Sequence, residues 1–422
     1  MNKIPEHVIK IAAPLLFAGA VFVAGSNGTS LHYSLERHVA TSTSPTSTVP
    51  RVSYEPPPFV VHHLNTPQVV RAVYMTSCIA SGKNLRAPLV KLVDRTELNA
   101  VVIDIKDFTG MISFDAGVPE FTLNTNGCSF SDIKEFLEEL HQKNIYLIGR
   151  VTVMQDTTYP ILHPDAAVKR KDNGGIWKDR KGLSFIDPGA TEYWKHMVTL
   201  GKLSHDVGFD EINYDYIRFP SDGDMSNTAF LRTGTTTKPE AMNKFYTYLG
   251  REMRKLGIPI SADLFGMTTT NTDDLNIGQI LENGLKNFDF VAPMVYPSHY
   301  PPNFNGWRDP NLVPYELIHF VMKSAVERAN ALEAKEAGFV KSTSTPTFTP
   351  TGKYAKKLRP WIQDFDYGKQ YTEADVRAQK KGTYDAGLTS WMTWDPSNKY
   401  TPSAYNEGET PLLSQVATST TP

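Results

Sequence analysis

The sequence predicts a (β/α)8 TIM barrel, and three observations predict it. Eight short apolar runs alternate with helical patterns between residues 71 and 395. Most of these runs are continuously apolar rather than alternating, as parallel strands covered on both faces are. No Gly-x-Gly-x-x-Gly follows the first run, which disfavours the doubly wound open sheet that shares this alternation.

The elements follow in order. Residues 71–77 (RAVYMTS) form the first strand, and a helical pattern spans 84–98. Residues 100–107 (AVVIDIKD) are the second strand, followed by a helix over 131–143 with Ser131 as its N-cap. Strand three is 146–154 (YLIGRVTVM), with a helix at 190–207. Strand four, 211–219 (EINYDYIRF), is a β-branched and aromatic run that Arg218 and Pro220 lead out into a loop. A helix at 239–256 connects it to strand five, 259–266 (PISADLFG). The next helix covers 273–286 with Asp273 as its cap, before strand six, 290–297 (FVAPMVYP). Helix 314–337, strand 359–366 (RPWIQDFD), helix 372–385 capped by Thr372, and strand 388–395 (LTSWMTWD) complete the eight units.

Residues outside this repeat divide the chain further. Lys3 and Lys10 lie on the N-terminal side of an apolar run from Ile11 to Gly25. That pattern fits a signal or membrane-anchor segment over residues 1–27, with the remainder exported. Residues 28–69, rich in Ser, Thr and Pro over 41–58, read as a linker with no core of its own. The barrel domain is expected over 70–400, and 401–422 as a flexible tail. Two insertions stand out. Residues 155–189 follow strand three on the face where barrel active sites lie, and 341–351 are a low-complexity loop on the opposite face, without chemistry.

Composition bounds the partners. A formal net charge of -2 leaves no electrostatic footprint for nucleic acid. The two cysteines, Cys78 and Cys128, either bridge in an oxidising compartment or stay as separate buried thiols. No CxxC or Cys/His cluster has metal-site spacing, so neither a metal nor another cofactor is expected. Aromatics make up 11% of the chain, enough to stack on the apolar faces of sugar rings as well as to fill a core.

The strand ends carry the chemistry. A carboxylate inside a buried strand is costly unless paired or used, and Asp215 sits in such a run. Asp263 occupies the neighbouring strand with the same two-residue offset from a polar group, so the two can point inward and meet. These are the candidate catalytic residues. Asp104, Lys106 and Asp107 of strand two, Arg150 of strand three, and Asn213 and Arg218 of strand four join the ring. So do Tyr296 and His299 after strand six, Gln363 and Asp366 of strand seven, and Trp394 and Asp395 of strand eight. Asp104 and Lys106 share a face by period two and are expected to pair inside the barrel. Paired carboxyl groups flanking a bond, with aromatics beside them, are what glycoside hydrolysis needs.

The segments VVIDIKDFTG, NYDYIRFPSDG, SADLFG, APMVYPSHY and RPWIQDF together resemble a bacterial family of glycosyl hydrolase barrel domains, over roughly Val70 to Pro396. In layout the chain also resembles the α-amylase superfamily. That likeness implies Asp215 as nucleophile, Asp263 as acid/base, and Asp364 or Asp366 as stabiliser. It departs from that pattern in having Asp rather than Glu on strand five, and Asn213 where an Arg precedes the nucleophile. The strand-four run also resembles family 18 chitinases at Asp210 and Asp215, but Ile217 stands where their acid Glu would be. Met294, Tyr296 and the strand-eight Trp are similar to the same group. The resemblance implies a glycoside hydrolase, and the N-terminal segment adds the expectation that it is tethered to the membrane or secreted and acts on an extracellular or cell-wall polysaccharide or oligosaccharide. A catalytically silent carbohydrate-binding barrel is the alternative.

Overall fold

Eight parallel strands close on themselves in the computed structural model, which describes residues 59–339 and 348–406. They are β1 (Arg71–Met75), β2 (Ala100–Lys106), β3 (Tyr146–Thr152) and β4 (Glu211–Asp215), then β5 (Ile260–Phe265), β6 (Phe290–Met294), β7 (Trp361–Gln363) and β8 (Trp391–Trp394). Each pairs with its neighbour in sequence, and β8 pairs with β1 to close the ring. The fold is the expected TIM barrel.

Helices fill the crossovers: α1 (Lys83–Arg95), α2 (Ile133–Gln142), α3 (Thr191–Asp206), α4 (Lys238–Leu256), α5 (Leu281–Asn287), α6 (Pro314–Glu336) and α7 (Glu373–Asp385). Local chemistry fixes several of their ends. Thr237 and Glu240 form a capping box that starts α4, and Gly257 ends it in the left-handed conformation at φ 72°. Thr372 caps α7 as expected, with Asp375 returning the bond. Two expected caps are corrected. Helix α2 begins after Asp132, so Ser131 is not its N-cap. Helix α5 begins at Leu281, because Leu275 and Asn276 take positive φ and turn the chain where a helix from Asp273 would run.

Both faces of each strand are buried, but to different ends. Val73, Val101, Leu147, Ile212, Tyr214, Ile260, Ala262 and Val291 belong to the core beneath the helices. The alternate residues Ala72, Ala100, Val102, Ile148, Ala292 and Met392 fill the barrel interior. By this alternation Glu211, Asn213 and Asp215 of β4 face inward, as do Ser261 and Asp263 of β5. Gly149 lets Ile105 pack over β3, since a Cβ there would lie 2.1 Å from Ile105 Cδ1.

The interior is polar at both ends. At the N-terminal end, Glu211 holds Arg359 at 2.9 Å and accepts from Tyr146 Oη at 3.1 Å. The chain before β1 lies against this end: Leu64 N donates to Asp210 at 2.8 Å, and Thr66 Oγ1 bonds Tyr146 Oη at 2.9 Å. Residues 61–69, assigned to the linker by composition, are therefore packed against the barrel. So are residues 401–406 of the expected tail, where Thr401 and Tyr405 bond Asp364. The apolar N-terminal segment, most of the linker, most of the 341–351 loop and the rest of the tail lie outside the described residues. Among those described, no helix is long and apolar enough to cross a membrane.

At the C-terminal end, the segment after β3 folds back on itself through bridges such as Gln155–Phe185 and Ala167–Ile186. Its Lys169–Arg170 pairs antiparallel with Thr228–Ala229 of the segment after β4. Trp177, buried between them, donates its indole N–H to Asp224 O at 3.0 Å. Cys78, just after β1, is disulfide-bonded to Cys128 in the segment after β2. The bridge ties together two of the loops on the side of the barrel mouth.

Candidate active site

Strand register brings the site together. β2 and β3 align Asp104 with Arg150, and β3 and β4 align Arg150 with Asn213. β4 and β5 align Asn213 with Ser261 and Tyr214 with Ala262, so Asp215 stands beside Asp263. Neighbouring strands are about 4.8 Å apart, and both side chains point inward.

Arg150 is the hub. Its Nη1 donates to Asp104 Oδ1 at 2.6 Å, its Nη2 donates to Asp215 Oδ2, and its Nε lies 3.9 Å from Asp263 Oδ2. The last is an ion contact without a hydrogen bond, and Nε is buried without another partner. Burial alone would weaken this guanidinium, but Asp215 and Asp104 reverse that and hold it firmly charged. Asp215 also accepts the backbone N–H of Tyr216 at 2.5 Å. Tyr216 takes φ 52°, an uncommon conformation for a bulky residue, directly after the strand.

Asp263 differs from Asp215 in its surroundings. Its Oδ1 accepts from Asn213 Nδ2 at 2.9 Å and from Trp361 Nε1 at 2.8 Å. Burial, and then the charge of Asp215, push its carboxyl well above the usual range, with Arg150 opposing. Its Oδ2 accepts no hydrogen bond among the described residues and is the oxygen on which a proton would sit. Asp104 is also raised by burial, against Arg150 and the Tyr74 hydroxyl that donates to it.

Aromatics enclose the pair. Tyr74 stacks on Trp394 at 3.8 Å between centroids, and Trp394 meets Trp361 edge-on at 5.6 Å. Arg150 Cζ lies 5.1 Å from the Trp394 ring. On the other side Tyr296 packs edge-on against His299 at 5.4 Å and Phe365 at 5.5 Å. Burial, then Asp263 and Asp215, raise the Tyr296 hydroxyl beside the carboxyl pair. Burial pulls the His299 imidazole below its ordinary value. Among the described residues, no three His, Cys, Asp or Glu side chains form a metal-holding group.

Residues 72–400 match the family model described as "Putative glycosyl hydrolase domain". The chain belongs to this family. No curated protein matches its sequence. Among solved structures it is similar to the PgaB (BpsB) glycoside hydrolase domain from Bordetella bronchiseptica. That match has 12% identity and a TM-score of 0.53, over 78% of this chain and 94% of that one. The α-L-fucosidase isoenzyme 2 from Paenibacillus thiaminolyticus matches at 11% identity and a TM-score of 0.50, over 80% of this chain and 47% of that one. A hypothetical protein from Ruminiclostridium thermocellum ATCC 27405 is 31% identical, with a TM-score of 0.40, over 49% of this chain and 98% of that one. The first two likenesses are of fold.

In this glycosyl hydrolase domain the remaining expected residues fall into two groups. Arg218 joins the mouth, packed between Tyr216 and Phe265. Gln363 supports it, with its Oε1 accepting from Ser298 Oγ at 2.8 Å next to His299. The others are engaged elsewhere. The expected Asp104–Lys106 pair does not form. A register shift between the two residues turns Lys106 away to Asp156 at 2.9 Å, and Asp104 goes to Arg150. Asp107 caps its own turn through Thr109 N at 2.9 Å, and Asp366 accepts Tyr371 N at 2.8 Å. Asp364 is held by Thr401 and Tyr405, and Asp395 by Ser397 N at 2.5 Å. Burial raises Asp395 to about 6. Tyr74 and Trp361 had not been singled out from the sequence. Trp361 lies two residues before Gln363, and that spacing alone would have placed it on the inner face.

Proposed function

We propose that this glycosyl hydrolase domain cleaves its substrate by a two-carboxylate double displacement, with Asp215 as nucleophile and Asp263 as acid/base. The observation that carries the proposal is the unequal pair: adjacent inward carboxyls on β4 and β5, of which Asp215 takes the hydrogen bond of Arg150 while Asp263 lies 3.9 Å from that guanidinium and is raised by burial and by the charge of Asp215. In the first step Asp263 gives its proton to the glycosidic oxygen as the bond to the anomeric carbon breaks. An oxygen of Asp215 bonds to that carbon, and the leaving sugar departs as an alcohol. In the second, water attacks the anomeric carbon and gives its proton to Asp263, releasing Asp215. Side chains on adjacent strands suit the separation of about 5 Å used by retaining enzymes. Arg150 orients Asp215, and Tyr74, Trp394 and Tyr296 supply ring faces and edges for the sugar.

We assign the domain to the outside of the cytoplasm, acting on a cell-wall or extracellular polysaccharide. The Cys78–Cys128 bridge supports an oxidising compartment, and the apolar segment at Ile11–Gly25 supports export. Release of reducing ends from bacterial polysaccharides and aryl glycosides by the full chain tests the activity. A second reading, a carbohydrate-binding barrel without turnover, is favoured by the closure of the pair, since Asp215 is 4% and Asp263 1% exposed. Glycan binding without any product release would select it.

A further inference from the structure

Arg218 carries a charge that the carboxyl pair does not use. It leaves β4 three residues after Asp215, and its Cζ lies 5.0 Å from the Tyr216 ring and 4.8 Å from the Phe265 ring. Phe265 ends β5 two residues after Asp263. The guanidinium thus bridges the ends of the two strands that carry the pair. The left-handed backbone at Tyr216 turns the chain so that this ring can support it.

The hydrogen bonding of Arg218 is one-sided. Nη1 donates to Phe219 O and to Ser221 Oγ, each at 3.0 Å. Nε and Nη2 have no partner among the described residues, and unlike Nε of Arg150 they are not fully buried. The acids around Arg218 are occupied. Asp215 is held by Arg150, Asp222 by Arg180 at 3.4 Å, and Asp179 accepts the N–H groups of Lys181 and Leu183 at 2.9 Å each. Nε–H and Nη2–H together form the edge of a guanidinium that grips a carboxylate through two parallel bonds.

We propose that Arg218 reads a carboxylate on the sugar held by Asp215 and Asp263, so that the substrate is an acidic glycan. This rests on the two-carboxylate hydrolase reading for the position of the sugar. The same carboxylate chemistry is found on a uronic acid and on a lactyl ether of an amino sugar, and the two are separated by the ligands used.

Binding to the full-length Asp215→Asn protein is measured by calorimetry. The ligands are uronic-acid oligosaccharides, peptide-free glycan strands bearing lactyl ethers, and the carboxyl-reduced form of each. One acidic ligand is expected to bind at least about tenfold tighter than its reduced form, the worth of one charge-assisted contact. Adding Arg218→Gln removes that difference, and adding Arg218→Lys restores part of it. Equal binding of acidic and reduced forms, no carboxylate-dependent binding of either ligand, or a preference that survives Arg218→Gln in a folded protein would overturn the proposal. Turnover by the parent is recorded separately. Carboxylate preference without turnover upholds the reader and removes the hydrolase, and turnover without preference does the reverse.

Discussion

Trp361 donates its indole N–H to Oδ1 of Asp263 at 2.8 Å, from β7 across the barrel interior to β5. This bond favours the ionised carboxyl and works against the burial that raises Asp263. Trp361→Phe keeps an aromatic ring for Trp394 and removes the donor. The account predicts that the alkaline limb of the kcat/KM profile moves to higher pH, because the acid then keeps its proton longer. A limb that stays in place or moves down would show that Asp263 is not the titrating acid.

Arg150 joins three inward carboxyls, and no other cation reaches them at comparable distance among the described residues. Arg150→Met leaves buried charge without its partner, a change that costs about 3–5 kcal/mol. Chemical denaturation should show a loss of that size. Arg150→Lys should recover part of the stability but little activity, since one ammonium cannot hold Asp104 and Asp215 in a fixed fork.

The sign of the Asp263 shift sets a stability test. Its folded pKa lies above the unfolded value of about 3.9, so its favourable contribution is complete below that pH and is lost as pH rises through the folded pKa. Asp263→Asn mimics the protonated form and cannot ionise. The thermal midpoint of the variant relative to the parent should therefore rise with increasing pH across that window. A relative midpoint that falls with pH would contradict the assignment.

Much of this site was legible in the sequence, because charged residues inside apolar runs are conspicuous. Asp215 in EINYDYIRF and Arg150 in YLIGRVTVM stand out for that reason. Trp361 and Tyr74 did not, since an aromatic in a strand reads as core until its hydrogen bond is seen. The Asp104–Lys106 pairing failed because period two assumes a regular ladder, and a register shift between the two residues leaves no mark on hydrophobicity. Asp273 read as a helix cap because a run of Asp and Asn serves turns and caps alike.

The disulfide spans 50 residues and fastens the segment after β2 to the turn after β1. Reduction, or Cys78→Ser with Cys128→Ser, should lower stability by about 2–4 kcal/mol. Chemical denaturation with and without a thiol reductant measures this. Identical curves would mean that the bridge does not constrain the unfolded chain.

The most direct measurement is hydrolysis of the polysaccharide and aryl glycoside panel by the full chain, with Asp215→Asn and Asp263→Asn alongside. Both variants should fold, and each should lose about 10²–10⁴-fold in kcat on any substrate the parent cleaves. Parent-like turnover in either folded variant would contradict the two-carboxylate account.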